Sequence, residues 1–160
     1  MQHYLKDSLC KLYKLVVMKV YKISAVTLII KSMRRSCNFY SRIPGFKLVY
    51  GGSWNDTFST YEIGGYKFKM YLNLELITPG ANIHNQDRRA KQFGRIIFHT
   101  ENVNELHSFF RKNKSISKII SFENEPKDAP WGERYFHIRE PDGYQLSFAE
   151  PTTCNNNNRT

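Results

Sequence analysis

Cysteine is scarce in this chain of 160 residues. Cys10, Cys37 and Cys154 lie far apart, without a C-x-x-C pair or an even-numbered set. The sequence therefore indicates neither a disulfide framework nor a thiolate zinc site. Unpaired, scattered thiols are typical of a reducing compartment, so we expect the protein to be cytoplasmic.

Long uncharged hydrophobic runs are also missing. The most apolar stretch, KLYKLVVMKVYKI, is interrupted by four lysines: Lys11, Lys14, Lys19 and Lys22. Such a segment is neither a spanning helix nor the core of a signal peptide, so no membrane span is predicted. Near-helical leucine spacing over 4–17 favours a short amphipathic helix, and we interpret 1–17 as a peripheral N-terminal extension. Alternatively, Met18 is the biological start.

Acidic residues are rare in the first third of the chain. Residues 1–50 hold ten Lys and Arg against one acid, whereas residues 101–160 hold eight against nine. A basic face can attract nucleic acid, an acidic membrane surface or an anionic small molecule, although it most often serves solubility. Because no nucleic-acid-binding motif accompanies the charge, we predict no specific nucleic-acid partner.

The sequence does contain a repeated pattern of predicted strands and a helix, which occurs twice. Alternating apolar residues predict strands over 20–30, 46–50, 57–63 and 66–77, with a helix from Ser32 to about Arg42. After a polar loop over 78–92, strands are predicted over 95–100, 118–122, 134–139 and 145–149. The second helix covers 103–113, with Asn102 and Glu105 in a capping arrangement.

The two series register at a shift of 70 residues, with 26–30 on 96–100 and 46–50 on 116–120. The predicted fold class is therefore α+β, with two βαβββ modules paired into a curved mixed sheet around a central cleft. The modules cover about 18–77 and 93–150 of one domain, 18–151. Residues 152–160 are predicted to form a disordered polar tail.

Alternation within the strands indicates which side chains face the cleft. Leu72, Leu74 and Leu76 share one face of their strand and suit packing under a helix. The other face carries Tyr71, Asn73 and Glu75, either toward a ligand or simply toward water. The same reasoning places Leu146 and Phe148 in the packed layer and places Ser147 in the cleft.

Two segments carry a family resemblance. CNFYSRIPGFKLVY follows the first strand, and PWGERYFHIREPDGYQLSFAE closes the second module. Together with the duplicated pattern they resemble the vicinal oxygen chelate superfamily, which includes glyoxalases, extradiol dioxygenases, fosfomycin-resistance enzymes and bleomycin-binding resistance proteins. The resemblance implies a homodimer with a small molecule in the cleft, lined by a hairpin whose turn is Asp142-Gly143.

The resemblance also implies where a metal would lie. Metal-dependent members place His or Gln at the start of each module's first strand and Glu near the end of its last strand. Those positions fall on Ala25, Glu75, Arg95 and Ser147, and one match in four cannot hold a divalent ion. We therefore predict no metal and no other cofactor. The alternative is a set made of Glu75, His99 and His137, while His84 and His107 are expected to be exposed.

Arg95 at the metal position suggests an anion site, because a guanidinium suits carboxylate or phosphate. The alternative is an internal ion pair with Glu75. Trp54, Tyr71, Trp131 and Tyr135 would supply flat walls, although core packing explains any one of them equally well. The predicted function is metal-free binding of an anionic or aromatic small molecule, with no catalytic residue assigned. The alternative is a divalent-metal-dependent, glyoxalase-like lyase or dioxygenase.

Overall fold

The computed structural model describes residues 23–65, 68–77, 80 and 83–152. The predicted N-terminal extension and nearly all of the predicted tail lie outside the described residues. None of the helices in the described ranges is long and apolar enough to cross a membrane.

Module 1 is a four-stranded mixed sheet with one helix. Its elements are β1 (Ala25–Ile30), α1 (Met33–Tyr40), β2 (Phe46–Tyr50), β3 (Phe58–Ile63) and β4 (Met70–Leu76). The strand order is β1-β4-β3-β2, with β1 parallel to β4 and the other neighbours antiparallel. Parallel pairing of β1 with β4 requires a crossover, which α1 and the β2–β3 hairpin provide.

Module 2 repeats this arrangement after α2 (Ile83–Gln92). It contains β5 (Arg95–His99), α3 (Val103–Lys112), α4 (Lys114–Ser117), β6 (Ser121–Phe122), β7 (Lys127–Ala129), β8 (Glu133–Arg139) and β9 (Gln145–Pro151). The order β5-β9-β8-β6, with β5 parallel to β9, matches that of module 1. The α+β class and the two βαβββ modules are thus confirmed. The strands form two curved sheets. The sheet of module 1 is here called sheet 1, and the sheet of module 2 is called sheet 2.

The helix starts confirm the shift of 70 residues. Ser32 caps α1 by accepting from the Arg35 backbone N–H, and Asn102 caps α3 by accepting from the Glu105 N–H at 2.9 Å. Each side-chain oxygen satisfies an N–H that the first helical turn leaves unpaired. Both helices pack on the matching strands of their own sheet, α1 on β3 and β4 and α3 on β8 and β9.

Three predictions for the secondary structure were wrong. The polar loop over 78–92 contains α2, whose Ala90 is buried. The strand over 118–122 is limited to Ser121–Phe122, because Asn113 caps the short helix α4 and Ile116 is buried there. Residues 46–50 therefore correspond to β6 and not to 116–120. β7 was not predicted.

One hydrophobic core lies behind both sheets. The helix-facing sides carry buried residues from both modules, among them Leu72, Leu74, Leu146 and Phe148. Phe46 and Phe98 join the modules with ring centroids 5.2 Å apart. The opposite side of each sheet, here called its front face, carries the alternate side chains.

The turn between β8 and β9 also joins the modules. The buried Asp142 carboxylate accepts from the Lys31 backbone N–H at 3.0 Å, from Arg35 Nη2 at 2.8 Å and from the Ser36 hydroxyl at 2.8 Å. Asp142 therefore does more than serve the turn, because it holds module 2 against α1. Tyr144 reinforces this junction by donating its hydroxyl to the Ile29 carbonyl at 3.2 Å.

Candidate functional site

The front face of sheet 2 brings together six of the nine residues that the sequence singled out. Strand registers place side chains of β5, β9 and β8 in rows, since residues directly opposite each other share a face. Arg95, Gln145 and Arg139 form one row. The next two rows are Ile97, Ser147 and His137, then His99, Ala149 and Tyr135.

An aromatic ladder runs along β8 on this face. The Trp131 and Tyr135 rings are stacked, with centroids 5.9 Å apart and planes at 19°. The Tyr135 and His137 rings follow at 4.8 Å and 37°. Trp131 is 68% exposed, so the end of the ladder offers a flat surface to a ligand. Lys127 Nζ lies 5.5 Å from the Tyr135 ring centroid, a cation–π contact.

Arg95 lies at the other end of the ladder. Its Nη1 is 3.1 Å from His137 Nε2. Since a guanidinium can only donate, Nε2 must accept, and the proton of the neutral imidazole is on Nδ1. Burial and the Arg95 charge lower the pKa of His137, which keeps the ring neutral near pH 7. Arg95 itself is exposed, so its other N–H groups remain available to an anion.

Glu133 holds the opposite end of the site. Its Oε2 accepts from Trp131 Nε1 at 2.8 Å, and its Oε1 lies 3.3 Å from His99 Nε2. One carboxylate thus orients both the outer ring of the ladder and a histidine on the edge strand. Glu133 was missed by the sequence analysis, although its place two residues before Tyr135 puts it on the same face.

Ser147 lies at the floor of the site. It is 3% exposed, between Ile97 and His137. A ligand on this face would therefore meet the flanking side chains first. Nearby, Glu123 accepts from Arg139 Nε at 2.7 Å and from the Gln145 amide. Burial alone would raise the pKa of Glu123. The hydrogen bonds from Gln145 and Arg139 outweigh this effect and hold the pKa below its ordinary value.

Tyr71, Asn73 and Glu75 lie on the front face of sheet 1. Asn73 is engaged by its neighbours, since it accepts from Thr60 at 3.0 Å and donates to Thr27 at 3.2 Å. Glu75 is exposed. In the described part of the chain no hydrogen bond or ion pair joins Glu75 to Arg95. The arginine instead contacts His137. Tyr71, Asn73 and Glu75 on sheet 1 are therefore a separate group from the six predicted residues on sheet 2.

An apolar cavity of about 860 Å³ opens where the edge of β5 meets module 1. Its lining includes Phe46, Ile63, Phe68, Met70, Ile97 and His99. The volume is in the range of small-molecule pockets. His99 belongs both to this lining and to the front face of sheet 2, so the cavity borders the face that carries the aromatic ladder.

The expectation that His107 is exposed was wrong. It is 7% exposed, with its ring 5.1 Å from the Phe122 ring and 5.0 Å from the Phe136 ring. Nε2 lies 3.4 Å from Glu125 Oε2 but makes no hydrogen bond within the described residues. Burial lowers the pKa of His107, so the ring is a neutral part of the core. The side chain of His84 lies outside the described residues.

Comparison with known proteins agrees with the duplicated fold. The sequence model of the Glyoxalase/Bleomycin resistance protein/Dioxygenase superfamily matches residues 22–148. The chain belongs to this superfamily. No curated protein matches the sequence.

Solved structures of the superfamily share the fold at low identity. A glyoxalase/bleomycin resistance protein/dioxygenase from Nocardioides is 14% identical with a TM-score of 0.60, and the match covers 96% of this chain and 99% of that one. A glyoxalase-related enzyme from Fulvimarina pelagi is 16% identical, with a TM-score of 0.56 and coverage of 82% and 88%. TnmS3, an antibiotic-binding protein from Streptomyces sp. CB03234, is 16% identical, with a TM-score of 0.58 and coverage of 84% and 98%.

The residues at the superfamily's metal positions do not fit a divalent ion. The shift of 70 residues equates Ala25 with Arg95, and the strand registers then equate Glu75 with Ala149. The prediction that Ser147 holds this position was wrong, because Ser147 corresponds to Asn73. Alanine offers no donor side chain and arginine repels a cation, so Glu75 is left as a single carboxylate.

Proposed function

We propose that the protein binds an anionic aromatic small molecule on the front face of sheet 2 without a metal. The observation that carries the proposal is the ladder of Trp131, Tyr135 and His137 that ends at the exposed Arg95. A planar ring would stack on the ladder, and a carboxylate or similar group would accept hydrogen bonds from the guanidinium. The adjoining apolar cavity would take further hydrophobic parts of the ligand.

Charge supports an anion over a cation. Net charge is +10, and the site itself presents Arg95 and Lys127 beside the rings. Both acids of the site already have partners. Glu133 contacts Trp131 and His99. Glu123 accepts hydrogen bonds from Arg139 and Gln145. An antibiotic-binding relative with the same fold supports binding as a function but leaves the ligand to be found.

A matched pair of probes tests this proposal. We expect 2-naphthoate to bind in isothermal titration calorimetry and the cation 2-naphthylmethylamine to bind much more weakly. Arg95→Ala should raise the Kd for 2-naphthoate roughly tenfold or more, the effect of losing a charged hydrogen bond. The control is Arg134→Ala, on the same strand as the ladder but on its other face. Equal binding of both probes, or an equal effect of both variants, contradicts the proposal.

A homodimer is the second part of the proposal. Ile97 and Met70 are large exposed apolar residues at the cavity, and Phe68 beside them is 85% exposed. Apolar surface of this kind is typical of a face that a partner covers, and we propose a second copy of the chain. Sedimentation analysis should give a dimer that Ile97→Asp dissociates. A wild-type monomer at micromolar concentration contradicts it. We place this dimer in the cytoplasm, as the unpaired cysteines suggest.

A further inference from the structure

A polar groove lies along the exposed side of α1. None of the residues that line it belongs to the site on sheet 2. Its volume is about 680 Å³, and its lining includes Arg34, Cys37, Asn38, Arg42, Ser53 and Trp54. A smaller hollow lined by Ser32, Arg34, Arg35 and Asn38 adjoins it. Neither lining contains an acid from the part of the chain that the structure describes.

Two arginines and an asparagine of the groove are aligned along the helix. Arg34, Asn38 and Arg42 follow one another at intervals of four residues, which places them on one side of α1 and the turn after it. Arg34 makes no hydrogen bond or ion pair within the ranges that the structure describes. Arg42 uses Nη1 on the Asn38 carbonyl and amide oxygens, and its remaining donors have no acceptor among the described residues.

Trp54 forms the other wall of the groove. The residue is 72% exposed. Leaving so much apolar surface in water is unfavourable unless a ligand or partner covers it. The loop that carries Trp54 is nevertheless held by specific contacts. The Gly52 N–H donates to Ser59 at 2.9 Å, and the Ser53 N–H donates to Asp56 at 2.7 Å. Gly51 has φ +67°, and a Cβ there would lie 2.4 Å from the Phe58 carbonyl oxygen.

We propose that this groove binds a small molecule with a planar aromatic ring and a phosphate group, the chemistry of a nucleoside monophosphate. The indole of Trp54 would stack on the ring. The guanidinium groups of Arg34 and Arg42 would donate to phosphate oxygens, which can accept from two directions at once. The site is independent of the proposed function, because it shares no residue with the ladder and Arg95.

Calorimetry with adenosine monophosphate, inorganic phosphate and adenosine tests the inference. We expect the monophosphate to bind more tightly than either fragment. Arg34→Gln and Trp54→Ala should each raise its Kd about tenfold or more, since each removes one of the two contacts. Both residues are at the surface, so the variants should fold, as circular dichroism will show.

Two control variants separate the sites. The site proposed on sheet 2 also takes anionic aromatic molecules, so Arg95→Ala, which disables that site, should keep one equivalent of the monophosphate bound with an unchanged Kd. Arg88→Gln, at an exposed position on α2, should alter neither site. Loss of binding in Arg95→Ala with normal binding in Arg34→Gln overturns the inference, because the nucleotide would then occupy the other site. Phosphate that binds as tightly as the monophosphate also overturns it. The same holds if millimolar monophosphate does not bind, or if a single-stranded oligonucleotide binds more tightly with a steep salt dependence.

Discussion

The Asp142 carboxylate accepts a 2.8 Å hydrogen bond from the Ser36 hydroxyl and so ties the closing turn of module 2 to the helix of module 1. Arg35 adds an ion pair to the same carboxylate at 2.8 Å. The Asp142 side chain has no exposed surface. A charge in this position is tolerated only because its partners are in place.

Asp142→Asn should therefore destabilise the protein. The amide keeps the shape but loses the charge opposite Arg35 and places an NH2 where an acceptor is needed. We expect a loss of about 2–4 kcal/mol in the free energy of unfolding, measured with urea. The matched control is Asp128→Asn, whose ion pair with Arg134 is exposed and should matter by about 0–1 kcal/mol. Equal losses in the two variants would show that the junction contributes little.

Glu140 gives stability a pH dependence. Burial and the Asp142 carboxylate raise its pKa from 4.5 to about 7. Between these pH values the folded state retains a proton that the unfolded chain releases. The resulting contribution to the free energy of unfolding is fully present below pH 4.5 and is lost as pH rises to about 7. It amounts to roughly 3 kcal/mol. We expect the stability of Glu140→Gln relative to wild type to rise across this window in urea titrations. A constant difference would mean that Glu140 is ionised throughout.

His107 should act with the opposite sign. Burial lowers its pKa below 6.5 in the folded state, so the unfolded chain takes up a proton first. Stability from this residue is present above pH 6.5 and is lost as pH falls below it. His107→Phe keeps an aromatic ring beside Phe122 and Phe136 and removes the titration. The melting temperature of the variant relative to the wild type should therefore rise as pH falls from 8 to 5. Parallel curves would refute this account.

Local chemistry explains which parts of the fold the sequence could predict. The caps Ser32 and Asn102 act within their own first helical turns, and the alternation in β4 and β9 reflects the two sides of one strand. Both are written in neighbouring residues. The apolar run around Ile116 was misleading because the cap at Asn113 turns it into a helix, and the tertiary contacts then bury it.

The candidate site was predictable only in part. Tyr135, His137 and Trp131 could be named from the pattern of β8, but the partner of Arg95 could not. Glu75 lies on sheet 1, whereas β9 joins β5 to β8 within sheet 2 and brings His137, one row away, to the Arg95 guanidinium. His107 was misplaced for the same reason, because the rings of Phe122 and Phe136 that cover it come from distant strands.

The last prediction concerns metal dependence. If the donor set at Ala25, Glu75, Arg95 and Ala149 cannot hold a divalent ion, binding of 2-naphthoate should be the same before and after treatment with EDTA. Arg95→His should weaken that binding without creating a metal site, because Glu75 and one imidazole supply too few donors. Metal content after dialysis against zinc, nickel or manganese is the direct measurement. A stoichiometric ion that Glu75→Ala removes would contradict this prediction, and a metal-dependent lyase or dioxygenase would then be the better account.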